Sequence, residues 1–133
     1  MAGQVVLVYS KAKEGNVKLS KNFMVKEFAC SDGTDTIFIA SMLVSTLQKI
    51  RDHFGKPVHI NSAYRTEAHN KSIGGAQYSQ HKYGLAADIH IDGVTPSEIA
   101  AYVETLMPNR GGIGIYKNFC HVDTRRVKSR WNG

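Results

Sequence analysis

The stretch SQHKYGLAADIHI, at positions 79–91, combines a predicted strand with side chains that can bind a metal. Within the predicted strand at 85–91, apolar and polar residues alternate over positions 87–91, and successive side chains of a strand point to opposite faces. The alternation therefore predicts a strand with one face in the core. Its opposite face carries Asp88 and His90, and His81 stands seven positions before Asp88.

A second imidazole occurs in the segment FCHVD at positions 119–123, which also reads as a strand. The period of two places His121 and Asp123 on one face of it. If the two strands are neighbours, His81, Asp88 and His121 converge on one point. Three nitrogen and oxygen ligands leave the fourth tetrahedral position of a zinc ion open, as in catalytic zinc sites. The spacing therefore predicts metal-dependent hydrolysis.

The remaining patterns predict strands mixed with helices. Helical spacing of apolar residues ends at Gly55, and a capping box at Thr95–Glu98 has Pro96 at the first helical position. Strands are predicted at 5–9, 58–62, 85–91, 112–116 and 119–124, helices at 39–54, 66–74 and 95–107, and a loop at 10–21. Residues 112–124 read as a hairpin. This order favours an α+β fold with a small, largely antiparallel sheet and packed helices.

Composition fits one domain spanning residues 1–133, with 42% hydrophobic residues for one core. The formal net charge of +6 indicates either a solvated basic face or a polyanionic partner such as nucleic acid or bacterial wall polymers. Nucleic-acid binding is not expected, because the basic cluster at 125–130 has only Trp131 as a nearby aromatic. Cys30 and Cys120 are too few for a disulfide framework and are expected to be buried thiols.

The amino-terminal residues lack the basic and long apolar regions of a secretory signal peptide. No stretch approaches the roughly 20 apolar residues of a membrane span. We therefore expect synthesis in the cytoplasm without a secretory signal, and no membrane partner. The sequence does not define the oligomeric state, and we expect a monomer.

Several short motifs occur together in a specific order. They are LSKNF at 19–23, EFAC at 27–30, SAYRT at 62–66, HN at 69–70, GGA at 74–76, SxHxxGxAxD at 79–88 and FCHVD at 119–123. Over residues 19–131 the chain resembles zinc peptidases of the D-alanyl-D-alanine carboxypeptidase type, and most of all their compact phage and prophage members. The resemblance implies the fold shared with lysostaphin-type peptidases and the hedgehog signalling domain. It also implies peptidoglycan stem peptides or cross-links as substrate, carboxypeptidase-like or endolysin-like activity, and action at the bacterial cell wall after release or as a phage component.

Individual roles follow from this resemblance. His81, Asp88 and His121 match the zinc ligands, and Arg65 matches the arginine that holds substrate near the scissile carbonyl or a terminal carboxylate. A guanidinium suits that role because its planar donor fork grips a carboxylate with two hydrogen bonds. The alternative for Arg65 is a structural salt bridge. Ser79 either binds substrate or caps a turn.

One departure from the family pattern concerns the general base. Many members carry Glu or Asp three residues before the last histidine ligand, but this chain has Asn118 there. An amide cannot accept a proton from water, so Asp123 and His90 become the candidate bases. Asp123 could instead orient His121 or pair with Arg125. The chain is therefore expected to be a zinc peptidase, with a catalytically inactive, zinc-stabilised wall-binding module as the alternative.

Overall fold

The computed structural model describes residues 4–133, in which strands and helices form the predicted α+β architecture. The strands are β1 Val6–Ser10, β2 Lys18–Ser20, β3 Phe23–Met24, β4 Thr36–Ala40, β5 His59–Ser62, β6 Ala86–His90, β7 Gly112–Ile115, β8 Cys120–Asp123 and β9 Ser129–Asn132. The α-helices are α1 Lys11–Glu14, α2 Ser41–Phe54, α3 Glu67–Ser72 and α4 Pro96–Leu106, and 3-10 helices cover Val25–Phe28 and Gln80–Tyr83. None of the described helices could span a membrane.

The principal sheet has five strands in the order β5-β6-β8-β7-β9. All neighbours are antiparallel except β7 and β9, so the expectation of a largely antiparallel sheet is confirmed. The predicted hairpin is also confirmed, as β7 and β8. Strands β6 and β8 are direct neighbours, and Asp88 stands opposite His121 in their register. This pairing brings two of the three predicted metal ligands together.

Helix α4 packs on β7 and β8 of this sheet, α2 packs against α4, and the two helices supply much of the core. Leu47 and Ile50 of α2 and Val103 of α4 are fully buried, as are Ile89 of β6 and Val122 of β8. The last two lie on the strand face opposite the metal-ligand candidates, as the alternation predicts. Burial of each such side chain stabilises the fold by about 1.5–3 kcal/mol. The core therefore fixes which face of β6 and β8 is left for the site.

Helix α2 begins at Ser41 and not at residue 39 as predicted. Residues 36–40 form β4, which pairs antiparallel with β1 and places Ile39 opposite Leu7. The prediction was wrong because Ile39 also fits the helical spacing of the residues that follow. The end of α2 is as predicted, since Gly55 adopts a left-handed backbone with φ 64°.

The predicted loop at 10–21 was also wrong, because this segment contains α1 and β2. Ser10 caps α1 by accepting a hydrogen bond from the backbone N–H of Lys13, and Asp35 accepts one from Ala12. Asp35 lies far along the chain, so the local sequence does not reveal its contribution. Strand β1 itself covers 6–10, one residue later than predicted.

The other helix starts follow their predicted caps. Thr95 and Glu98 form the capping box of α4, with Pro96 at its first position. Thr66 accepts a hydrogen bond from the N–H of His69 and starts α3, which ends at Ser72, slightly before the predicted end. The chain then runs through positions 73–79 to the 3-10 helix that carries His81.

Candidate metal centre

The 3-10 helix Gln80–Tyr83 holds His81 in a buried position, with 2% of the residue exposed. Ser79 starts this helix by accepting a hydrogen bond from the His81 N–H, and Gly84 ends it in a left-handed conformation. His81 Nδ1 lies 2.7 Å from the carbonyl oxygen of Ala63. Because a carbonyl only accepts, Nδ1 carries the proton, and the lone pair of Nε2 is free for a metal.

Asp88 connects the two histidines. Its Oδ2 lies 3.3 Å from His81 Nε2 and its Oδ1 lies 3.0 Å from His121 Nδ1. Each residue offers a ligand atom within 4.8 Å of the others, and all three residues are buried. Two imidazole nitrogens and a carboxylate oxygen form a donor set that suits zinc. The structure thus brings together the three ligands predicted from the sequence.

Asp123 holds the far side of the His121 ring. Its Oδ2 lies 2.7 Å from His121 Nε2, and its Oδ1 accepts a hydrogen bond from the N–H of Gly112. Arg125 donates to the same carboxylate from its backbone N–H and its guanidinium, at distances of 2.6–3.0 Å. The side chain of Asp123 is fully buried. These contacts give Asp123 both of the alternative roles left open by the sequence, orienting His121 and pairing with Arg125.

The electrostatics agree with an ionised Asp123. Burial raises the pKa of its carboxyl, but hydrogen bonds from His121 and Arg125 outweigh burial and hold the pKa well below its ordinary value. An ionised carboxylate only accepts, so Nε2 of His121 carries a proton and Nδ1 faces Asp88. A carboxylate that orients a metal-binding histidine in this way is a common feature of metal sites.

Asp88 and His121 stabilise each other's charged forms. Burial raises the Asp88 pKa, but hydrogen bonds from His121 and His81 outweigh it and lower the pKa well below the ordinary value. Burial lowers the His121 pKa, but hydrogen bonds to Asp123 and Asp88 outweigh it, and the pKa is raised. A divalent cation at this cluster therefore competes with the proton on Nδ1 of His121.

Arg65 lines the cleft beside the cluster and contacts a predicted metal ligand. Its NH2 lies 3.3 Å from Asp88 Oδ2, Nε donates to Ser62 and NH1 donates to Asn70. The contact with Asp88 is a salt bridge, so Arg65 has the structural role that the sequence analysis gave as its alternative. The contacts use only part of the five guanidinium N–H donors, so N–H groups are left for a further partner.

The two other candidate residues are placed differently. Ser79 lines the cleft, and its hydroxyl caps the backbone of His81. His90 does not line the cleft; its ring bonds Asn61 and stacks on His59. It shares a strand face with Asp88, but two residues of a strand span roughly 6.6 Å, which carries the ring beyond the cluster. The structure thus places His90 outside the cleft lining, and its role as a general base stays a prediction.

The cleft has a volume of about 590 Å³, and residues 73–80 form part of its lining.

Aromatic side chains for which the sequence analysis predicted no role form another part of the lining. Tyr116 and Phe119 stack with ring centroids 4.4 Å apart, and Trp131 Nε1 donates to the Tyr116 hydroxyl. Tyr116 and Phe119 flank the predicted hairpin turn, which is the only available sequence signal. Trp131 lies in β9, which lacks a strand pattern and was not predicted.

The cleft offers few proton acceptors. Within residues 4–133, Asp88 contributes the only carboxylate to its lining. Asn118 is exposed in the turn between β7 and β8 and lies outside the lining. The described part of the chain therefore presents no free carboxylate next to the candidate metal ligands.

Comparisons with known proteins agree with this geometry. The family model for Peptidase M15 matches residues 20–123, so the chain belongs to peptidase family M15. This confirms the family resemblance. Among curated relatives, the peptidoglycan L,D-endopeptidase MepK of Escherichia coli strain K12 is 40% identical over 76 residues, which cover 52% of this chain and 41% of MepK. MepK of Shigella flexneri gives the same values. The matched region thus covers about two fifths of the length of these relatives.

Proposed function

We propose that this chain is a zinc-dependent peptidase that hydrolyses a peptide bond in bacterial peptidoglycan. The observation that carries the proposal is the convergence of His81, Asp88 and His121 in one cleft, with both imidazoles oriented by acceptors behind them. Membership of family M15 supports peptidase chemistry, and the names of the MepK relatives support peptidoglycan as substrate. Action at the cell wall after release, or as part of a phage, forms part of the proposal.

His81, Asp88 and His121 are the residues that would hold the ion. When bound there, zinc supplies Lewis acidity, which polarises a carbonyl oxygen and acidifies water. Ala63 and Asp123 keep the two ring protons on the nitrogens that face away from the ion. This preorganisation means that the protein need not reorient its ligands during the reaction.

Arg65 is the residue proposed to position the substrate. It is charged at all working pH values, it lines the cleft, and its contacts with Ser62 and Asn70 hold the guanidinium plane. A guanidinium in this position binds a peptide carbonyl or a stem carboxylate next to the ligand cluster. The net charge of +6 further favours approach to the anionic wall.

We favour internal cleavage of a cross-link over removal of a terminal residue. The MepK relatives are named endopeptidases, and the cleft is lined by the 73–80 segment and by the aromatic side chains Tyr116, Phe119 and Trp131. A carboxypeptidase needs a site for the substrate's terminal carboxylate, and Arg65 or Arg125 could provide it. The two activities are distinguished by whether the enzyme releases a single amino acid or separates two linked stems.

One observation favours a second candidate function, an inactive zinc-stabilised module that binds the wall. Asp123 is fully buried and already accepts hydrogen bonds from His121, Gly112 and Arg125, so neither oxygen is free to take a proton from water. The described residues place no other free carboxylate at the cleft. A module of this kind would bind wall polymer without cutting it.

Digestion of purified sacculi separates the two functions. Zinc-loaded protein should release soluble peptides, whereas the chelator-treated protein and His81→Ala should not. His53→Ala is the matched control, because His53 is exposed and stacks on Tyr102 away from the cleft. Binding to sacculi without peptide release, with zinc occupancy verified, would support the binding module and contradict the peptidase.

A further inference from the structure

A second group of metal-binding side chains lies on the surface at the end of β5 and β6. His59 and His90 are direct partners in the strand register, and their rings stack with centroids 4.7 Å apart. Asp92 follows β6 in the turn that leads to Val94. His59 Nε2 lies 3.7 Å from Asp92 Oδ2, and His90 Nε2 lies 3.9 Å from Asp92 Oδ1.

These separations are too long for hydrogen bonds but short enough to share a cation. The three residues each offer a ligand atom within 4.8 Å of the others. Ligands about 2.0–2.1 Å from a tetrahedral zinc stand roughly 3.4 Å apart, so the cluster needs to close only slightly. Asp92 and His59 are exposed, which allows that movement.

The ring of His90 is already oriented for a metal. Its Nδ1 bonds the side-chain oxygen of Asn61, which makes Nδ1 the donor and leaves the Nε2 lone pair facing Asp92. His81 is oriented in the same way by the carbonyl of Ala63. An acceptor behind a histidine ligand is what holds its tautomer in metal sites.

We propose that His59, His90 and Asp92 bind a second divalent ion of the borderline transition-metal class, such as Zn²⁺, Ni²⁺ or Cu²⁺. Two imidazoles and one carboxylate select these ions over Mg²⁺ and Ca²⁺, which prefer oxygen ligands. The group shares no residue with His81, Asp88 and His121, so binding here does not depend on the proposed peptidase site. Because the cluster is exposed, water fills the remaining coordination positions.

Two features of the surface group determine how tightly it should bind a cation and how a bound cation should affect the stability of the fold. Lys56 places its ammonium against Gly93 in the same turn, and its positive charge weakens cation binding at the surface group. The ion would link the 91–94 turn to β5, because Asp92 belongs to the turn and His59 to the strand. Binding should therefore raise the melting temperature as metal concentration increases.

Equilibrium dialysis of chelator-stripped protein against ZnCl₂, and separately NiCl₂, tests this site, with bound metal measured by elemental mass spectrometry. Wild-type protein and His53→Ala should bind two ions per chain, and His59→Ala and Asp92→Asn should each bind one. His81→Ala should retain the surface ion. In nuclear magnetic resonance spectra, the His59 and His90 imidazole resonances should shift as that ion binds.

The outcomes also separate this inference from the proposed function. Two ions retained in both His59→Ala and Asp92→Asn would overturn the surface site. The surface site would also be overturned if wild-type protein binds a single ion and His81→Ala loses it. A single ion that is lost in His59→Ala but kept in His81→Ala would support the surface site and contradict the zinc centre of the proposed peptidase.

Discussion

His121 and Asp123 stand two residues apart on β8, and Nε2 of the imidazole lies 2.7 Å from Oδ2 of the carboxylate. This contact turns Nδ1 of the same ring towards Asp88. Gly112 and Arg125 hold the carboxylate from its other sides, and a Cβ at Gly112 would overlap it. The geometry makes Asp123 a residue that orients the candidate metal ligand His121.

Replacing Asp123 by Asn should weaken zinc binding by roughly 10- to 100-fold, the usual effect of losing such an orienting group. The amide loses the charge that holds Arg125 and the His121 proton. Competition with a zinc-binding fluorophore measures the change. Asp52→Asn is the control, since Asp52 is exposed and bonds only the side chain of Gln48 among described residues. Unchanged zinc affinity with a fall of roughly 10²-fold in turnover would instead identify Asp123 as the general base.

Arg65→Lys should lower kcat/KM by about tenfold or more while zinc stays bound. Lysine keeps the positive charge near Asp88 but loses the planar fork that contacts Ser62, Asn70 and Asp88. Steady-state kinetics on a cross-linked muropeptide, with metal content measured on the same sample, check this. If the loss of activity matches a loss of zinc, and the zinc-loaded fraction is fully active, Arg65 has only its structural role.

Gly84→Ala should destabilise the fold more than Gly33→Ala. Both glycines have left-handed backbones, φ 75° and 87°, which cost alanine about 1–2 kcal/mol. A Cβ at Gly84 would also overlap the backbone carbonyl of Phe38, whereas Gly33 has open space around it. Overlap of this kind adds about 1–3 kcal/mol. Urea unfolding of the two variants measures the difference, and equal losses would show that β4 moves freely away from Gly84.

Zinc affinity should fall as the pH falls through the raised pKa of His121. The raised pKa of His121 means that below it the ring carries an additional proton, and zinc must displace that proton from Nδ1. Affinity should then fall by up to about tenfold per pH unit, because one proton is released per ion bound. Titrations of zinc at several pH values measure the slope. A flat profile would contradict the proton competition at His121.

Both cysteines should resist thiol reagents in the folded protein. Cys30 is 3% exposed and Cys120 is fully buried. Burial, together with the charge of Asp88, raises the Cys120 pKa to about 12, so almost no thiolate is present at pH 8. Labelling with a chromogenic disulfide reagent should be slow for native protein and rapid for both thiols after unfolding. Fast labelling of Cys120 in the native protein would show that the β6–β8 region opens readily.

The three candidate metal ligands could be predicted from the sequence, whereas the contacts around them could not, because strand alternation is a local property. The alternation around Asp88 and that around His121 each define one strand face. The prediction assumed that the two strands are neighbours, and the structure pairs β6 with β8. The roles of Arg65 and Asp123 could not be settled in this way. Their partners Asn70 and Gly112 are set by tertiary packing, which leaves no periodic signal.

The errors in the fold have the same origin. Positions 39–40 of β4 were predicted as helix because Ile39 continues the apolar spacing of α2, and only the pairing of β4 with β1 distinguishes the two elements. Strand β9 is short and polar, and its parallel pairing with β7 alone makes it a strand. His59 belongs to no sequence motif, and it enters the proposed surface site only because the strand register places it opposite His90.

Hydrolysis in heavy-oxygen water tests the central proposal most directly. Zinc-loaded protein is incubated with purified cross-linked muropeptides in H₂¹⁸O, and the products are identified by mass spectrometry. We predict separated stems in which the new carboxyl group carries one ¹⁸O atom, and no such product with His121→Ala. Intact muropeptides after prolonged incubation, with zinc occupancy confirmed in the same sample and several wall types tried, would contradict the peptidase function.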